Sequence, residues 1–142
     1  MANIKPYIIR LYIFLLLFHS FNKFLLRPYI LENDLAAFLQ VFTLSVPNFI
    51  EAVMGTVVIT GLLNLAQQRL GILKSAGEQA IYTLAVGLAS IYVITQEFKI
   101  HNLGGRNTYD PNDVVASIIG LIFIFILLTL YGFWREEESN RF

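Results

Sequence analysis

The sequence is constrained most by residues 114–134, a run of 21 residues without a single Asp, Glu, Lys or Arg. A helix needs about 20 apolar residues to cross the hydrocarbon core of a bilayer. Trp134 ends the run, as is typical of a span that reaches the membrane–water interface. Asp110 and Pro111 precede it and suit the N-cap and the first helical position. We therefore predict a transmembrane helix over about 111–134.

The composition extends this prediction to the whole chain. Of the 142 residues, 56% are hydrophobic and only 14% are charged, whereas soluble domains are about 25% charged. The apolar segments predict an all-α fold, a four-span transmembrane helical bundle that forms a single domain over 1–142. The predicted spans are about 5–26, 47–66, 80–101 and 111–134. Residues 35–44 are too few to cross a bilayer and predict a short interfacial helix between spans one and two.

Several classes of function are disfavoured by the residue content. The net charge is zero and no basic run is present, so we expect no nucleic acid partner. The chain contains no cysteine, which excludes disulfides and thiolate metal sites. Histidines and carboxylates are present, but no H-E-x-x-H or comparable spacing occurs. We therefore expect neither a metal nor a cofactor.

The polar residues of the spans are unevenly distributed. Four antiparallel spans place the first and third connections on one side of the membrane. The span ends and connections on that side hold most of the ionisable and amide side chains: His19, Asn22, Lys23, Glu51, Gln96, Glu97, His101, Arg106, Asp110 and Asp113. A charge within the bilayer costs about 2.5–3.5 kcal/mol on insertion scales. Glu51 and Glu97 are therefore expected to face the bundle interior, paired or protonated.

The orientation follows from Lys and Arg, which are commoner on cytoplasmic loops. Six of these residues fall on the side of the termini and four on the side of the polar cluster: Lys5, Arg10, Arg69, Lys74, Arg135 and Arg141 against Lys23, Arg27, Lys99 and Arg106. This bias predicts cytoplasmic termini and an outward-facing cluster.

The stretch 97–120 resembles the VanZ-like family of small bacterial integral membrane proteins. In that family a glutamate near a helix end is followed by a Gly-Arg pair and then by an aspartate that opens a last span as D-x-x-x-N-x-x-G. Glu97, Gly105-Arg106 and D-V-V-A-S-I-I-G from Asp113 follow this order, with Ser117 at the usual asparagine. The resemblance implies a cell-envelope protein of the bacterial inner (cytoplasmic) membrane, and no molecular activity is established for the family.

Three hypotheses for function follow. The first is a non-enzymatic protein whose polar pocket binds an anionic lipid or a lipid-linked envelope precursor. Its candidate binding residues are Arg106, Glu97, Glu51, Asp113, His101 and Lys23, with Arg106 holding phosphate through its planar guanidinium. The second is a small intramembrane hydrolase or transferase that uses Glu97 and His101 as acid and base. The third is a structural subunit of a membrane assembly. We favour the first over an enzyme.

Overall fold

The computed structural model describes residues 3–73, 75–97 and 110–135, and nearly all of these residues are helical. The elements in chain order are strand β1 (Asn3–Ile4), helix α1 (Pro6–Phe21), a π-helical turn (Asn22–Leu26), and helices α2 (Arg27–Glu32), α3 (Ala37–Leu70), α4 (Glu78–Glu97) and α5 (Pro111–Tyr131), followed by strand β2 (Trp134–Arg135).

The predicted fold class is confirmed. Within the described residues, four helical segments are long and apolar enough to cross a membrane: Pro6–Glu32, which joins α1, the π-helical turn and α2 and is called span one below, and then α3, α4 and α5. Their outward faces carry many exposed Ile, Leu and Phe side chains. Such faces are stable against lipid, because lipid removes the cost of exposing apolar surface to water.

Contacts between helices show that the spans alternate in direction. Near one end of the bundle, the start of α1 bonds the end of α5, through the Lys5 amide and the Phe133 carbonyl. The start of α4 reaches the same place, since Tyr82 bonds the Phe133 amide. Toward the other end, Asn22 bonds Thr43 and Tyr92 bonds Glu51. The ends of span one and α4 therefore lie at the same membrane face as the starts of α3 and α5, as predicted.

Helices α3 and α5 approach each other closely at Gly120. A Cβ atom built at Gly120 would lie 2.6 Å from the main-chain oxygen of Phe49 and 3.1 Å from the Cβ of Ala52. The rings of Phe49 and Phe123 pack nearby, with centroids 5.7 Å apart. Small residues allow such close approach of helices in membranes, where packing and hydrogen bonds drive association. Gly120 therefore sets the spacing of α3 and α5.

Span one is the least buried of the four spans. It joins the core through Ile8 and Leu15, which pack against the cluster that includes Val53 of α3. The sequence predicted that this span ends near residue 26, but the helix continues to Glu32. Pro28 lacks an amide hydrogen and cannot continue the regular pattern of main-chain hydrogen bonds. Residues Asn22–Leu26, which precede it, form a π-helical turn with bonds five residues apart, so the segment stays helical.

The separate interfacial helix predicted over 35–44 is wrong. Residues 37–44 are instead the first turns of α3, which runs without a break through Pro47. Proline in a helix removes the hydrogen bond to the carbonyl four residues earlier, here that of Thr43. The side-chain amide of Asn22 donates to this carbonyl at 2.9 Å, so the buried group stays paired and the helix continues.

At the opposite face, the segment that precedes α1 pairs with the segment that follows α5. Strands β1 and β2 pair antiparallel, and Tyr7 donates to the Gly132 carbonyl at 2.7 Å. The ammonium of Lys5 donates to the Tyr131 carbonyl. Helix α5 ends at Tyr131, earlier than the predicted residue 134, because Gly132 adopts a φ of 69° that leaves the helical region. Phe133 then turns back and is buried.

Candidate functional site

A lateral groove of about 640 Å³ lies between span one and α4, with α3 as its floor. Its volume is within the range of pockets that hold a small ligand. Gly55 contributes to the floor, and a Cβ atom placed there would meet no atom within 4 Å. The groove is lined by side chains from three helices: Tyr12, Leu16 and His19 of α1, Pro47, Ile50, Glu51, Met54, Gly55, Val58 and Ile59 of α3, and Tyr92 of α4.

The relative heights of the helices follow from their contacts. Asn22 bonds Thr43, and an antiparallel neighbour rises at the same 1.5 Å per residue, so His19 is about level with residues 46–47. Tyr92 bonds Glu51, which places Pro47 about level with Gln96 at the end of α4. One end of the groove is therefore level with the end of α4, while span one and α3 extend about 15–20 Å beyond it.

Polarity changes along the groove. His19 and Pro47 lie at the end that is level with the end of α4, and Glu51 and Tyr92 lie one helical turn further in, about 6 Å away along the axis. Gly55, Val58 and Ile59 follow in the direction of the bilayer centre. The groove thus has its ionisable groups at one end and a mostly apolar surface beyond them, where Tyr12, about level with residue 53, is the one hydroxyl-bearing side chain among the described lining residues.

Glu51 is held by a hydrogen bond between helices. The hydroxyl of Tyr92 donates to its Oε1 at 3.3 Å. Glu51 is half-buried, while the Tyr92 side chain is 57% exposed and forms part of the groove wall. An ionised carboxylate has room for further donors at its second oxygen. The groove therefore presents an acceptor that a bound molecule can reach.

Of the six predicted binding residues, only Glu51 is placed in this groove. Lys23 is exposed, with its Nζ 5.7 Å from the centroid of the neighbouring Phe24 ring. Asp113 lies in the first turn of α5 and does not line the groove. Glu97 is the last residue of α4, but its side chain lies outside the described residues, as do His101 and Arg106 entirely.

Unpaired polar atoms accumulate toward the same membrane face. Within the described ranges, four buried side-chain atoms there find no hydrogen-bond partner: Asn22 Oδ1, Ser45 Oγ, Asp113 Oδ1 and Ser117 Oγ. Unpaired buried polar groups cost free energy and often mark places where water or a ligand binds. In the part of the chain that the structure describes, no group of three or more His, Asp and Glu residues could hold a metal ion.

Two groove residues escaped the sequence analysis. Tyr92 was not singled out, and His19 was placed in the polar cluster but not among the binding residues. A tyrosine hydroxyl within an apolar span needs a partner, because hydrocarbon offers none. This requirement is the signal in the sequence that could have identified the pair, because Glu51 is the only acidic residue of α3.

Comparison of the chain with protein-family models, with curated proteins and with solved structures finds no match.

Proposed function

We propose that the protein is a VanZ-like membrane protein of the bacterial cell envelope that binds an anionic lipid or a lipid-linked envelope precursor at one membrane face. One observation carries this proposal. The lateral groove is polar at the end that is level with the end of α4, through His19, Glu51 and Tyr92, and mostly apolar beyond them. A lipid has the same order of groups, with its head group at the surface and its chain below.

The groove is accessible from the bilayer. Its walls include exposed side chains on both sides, with Leu16 at 46% and Tyr92 at 57% exposure, and Val58 on the floor at 48%. Span one contacts α3 through Ile8 and Leu15 and through Asn22, which leaves the groove open between span one and α4. A lipid chain can enter this opening sideways without leaving hydrocarbon.

The anionic part of the ligand is assigned to the residues near the polar end. Lys23 lies one turn beyond His19, and the connection 98–109, which holds His101 and Arg106, leaves α4 at this face. Arginine binds phosphate through two parallel hydrogen bonds, which makes Arg106 the candidate for the phosphate contact. We assign the protein to the bacterial inner membrane with cytoplasmic termini, which sets the polar end of the groove outward.

Filling the groove tests the proposal. Gly55→Phe places a ring in the groove, and Gly87→Phe is the matched control, because Gly87 is also a helix-interior glycine with no atom within 4 Å of a built Cβ and does not line the groove. The delipidated proteins are incubated with equal amounts of phosphatidylglycerol and phosphatidylcholine, and the retained lipid is counted by native mass spectrometry.

We expect the wild type and Gly87→Phe to retain phosphatidylglycerol preferentially, and Gly55→Phe to lose at least four-fifths of it (roughly 1 kcal/mol in affinity). Equal retention by all three proteins would overturn the proposal.

A further inference from the structure

The groove presents its polar groups in a fixed order from the membrane face inward. His19, whose imidazole can donate a hydrogen bond, lies level with Pro47. The Glu51 carboxylate and Tyr92 lie one turn deeper, and the floor formed by Gly55, Val58 and Ile59 follows, with the ring of Tyr12 as its wall on span one. A ligand that fits all three levels has an anion at the first, a hydrogen-bond donor at the second and a chain at the third.

The second level offers a hydrogen-bond acceptor, the carboxyl group of Glu51, which is part of the groove wall. The hydroxyl proton of Tyr92 is already directed at Oε1 of Glu51, so it is not available to the ligand. A carboxylate donates no hydrogen bond. A phosphate at this depth would be repelled by the Glu51 carboxylate in its ionised form. The group next to Glu51 must therefore be a donor that lies between the phosphate and the chain.

The volume limits the ligand further. About 640 Å³ is within the range of pockets that hold one small molecule, and the groove is bounded by span one on one side and α4 on the other. It has one apolar track along α3. A lipid with a single chain fills this track, whereas a second chain would have to remain outside.

Resting on the proposed function, we propose that the groove selects a single-chain phospholipid with a free hydroxyl between its phosphate and its chain. A lysophospholipid has this chemistry, because the second carbon of its glycerol carries a hydroxyl instead of an acyl group. Diacyl phospholipids carry an ester at that carbon and polyprenyl phosphates carry no hydroxyl there, so both lack this donor to Glu51 and should bind more weakly than a lysophospholipid.

The test compares two probes in detergent: lysophosphatidylglycerol and its analogue that lacks the hydroxyl on the second carbon. The dissociation constant of each is measured for the wild type, Glu51→Leu and Tyr92→Phe, all checked for the same melting temperature. A hydrogen bond from the ligand hydroxyl to the Glu51 carboxylate should lower the dissociation constant of lysophosphatidylglycerol about tenfold relative to its analogue. We expect this preference in the wild type and in Tyr92→Phe, which keeps the carboxylate, and a ratio near one in Glu51→Leu.

Equal affinity of the wild type for both probes would overturn this inference, and that comparison does not depend on how a variant folds. A preference that persists in Glu51→Leu would also overturn it, since the donor would then contact another group. Gly55→Phe separates this inference from the proposed function. If Gly55→Phe abolishes the binding of both probes while the wild type does not distinguish them, the groove binds lipid without selecting the hydroxyl. If Gly55→Phe binds both as the wild type does, the proposed function itself fails.

Discussion

The side-chain amide of Asn22 donates a hydrogen bond of 2.9 Å to the main-chain carbonyl of Thr43, the carbonyl that Pro47 leaves without its helical donor. Both residues are fully buried. The bond therefore links the π-helical turn of span one to the carbonyl of α3 that Pro47 leaves without a main-chain donor. The Asn22–Thr43 bond holds span one beside the polar end of the groove. At the opposite face, the pairing of strands β1 and β2 holds the start of span one.

This relationship predicts that the effect of Asn22 depends on Pro47. Asn22→Ala leaves a buried carbonyl unpaired, which costs about 1–3 kcal/mol. Pro47→Ala supplies an amide hydrogen to the same carbonyl, so Asn22→Ala should cost clearly less in that background. The measurement is a double-mutant cycle on the free energy of unfolding in detergent. Asn33→Ala is the control, because Asn33 is exposed and bonds only its own helix. Equal costs of Asn22→Ala in both backgrounds would contradict the pairing.

A second prediction concerns the contact of α3 and α5. Gly120→Ala forces a methyl group to within 2.6 Å of the Phe49 carbonyl oxygen, so the two helices must separate. Overpacking of this kind costs about 1–3 kcal/mol. Gly87→Ala makes the same chemical change at a helix position with open space around it. We expect a lower melting temperature for Gly120→Ala and an unchanged or higher one for Gly87→Ala; the same small change in both would mean that the helices are not closely packed at Gly120.

The elements that the sequence predicted well are those set by local chemistry. The start of α5 at Pro111 was predicted correctly, because its cap depends on adjacent residues: Oδ1 of Asp110 accepts from the Asn112 amide at 2.9 Å. The continuity of α3 through Pro47 was not predicted, since the compensating donor, Asn22, lies on another helix. Proline usually ends a helix in sequence analysis, and only the tertiary contact reverses that expectation here.

The candidate site likewise has features that the sequence predicts and features that depend on tertiary packing. The alternation of four spans was enough to place His19 and Glu51 near one membrane face, and the structure has both in one groove. The bond between Tyr92 and Glu51 depends on how α3 and α4 are rotated about their axes. Rotation is set by packing of buried residues such as Ala52 and Ala89 against each other, which a single sequence does not specify.

A third prediction concerns the hydrogen bond that holds the segment after α5 against the start of α4. The Tyr82 hydroxyl accepts from the buried Phe133 amide at 2.8 Å and donates to Glu78 at 3.2 Å. Tyr82→Phe leaves that amide unpaired and should cost about 1–3 kcal/mol of stability. It should also speed hydrogen exchange in the segment around Phe133. Tyr29→Phe is the control at an exposed tyrosine. If Tyr82→Phe and the control exchange alike at Phe133, the hydroxyl does not hold the C-terminal segment.

A fourth prediction concerns Arg106, which lies outside the described residues. We expect an ion pair between Arg106 and Glu97, Glu51 or Asp113. If this pair is structural, Arg106→Ala should lower the folded yield, because an unpaired buried charge costs about 3–5 kcal/mol. If Arg106 binds phosphate, Arg106→Lys should fold normally but lose lipid preference, since an ammonium lacks the bidentate geometry. Folded yield and lipid retention, measured for both variants, separate these roles. Wild-type behaviour of both would mean that Arg106 has neither.

The central claim is that a lipid lies in the groove with its head group at the polar end. Photo-crosslinking in nanodiscs tests it directly, with one lipid probe activated in the head group and another in the middle of the chain, and with the adducts mapped by mass spectrometry. We expect head-group adducts at His19 and Tyr92, and chain adducts on α3 between Gly55 and Ile59 in clear excess over the outward face of α4 near Gly87. Adducts spread evenly over the outward faces of all four spans, with none enriched in the groove, would contradict it.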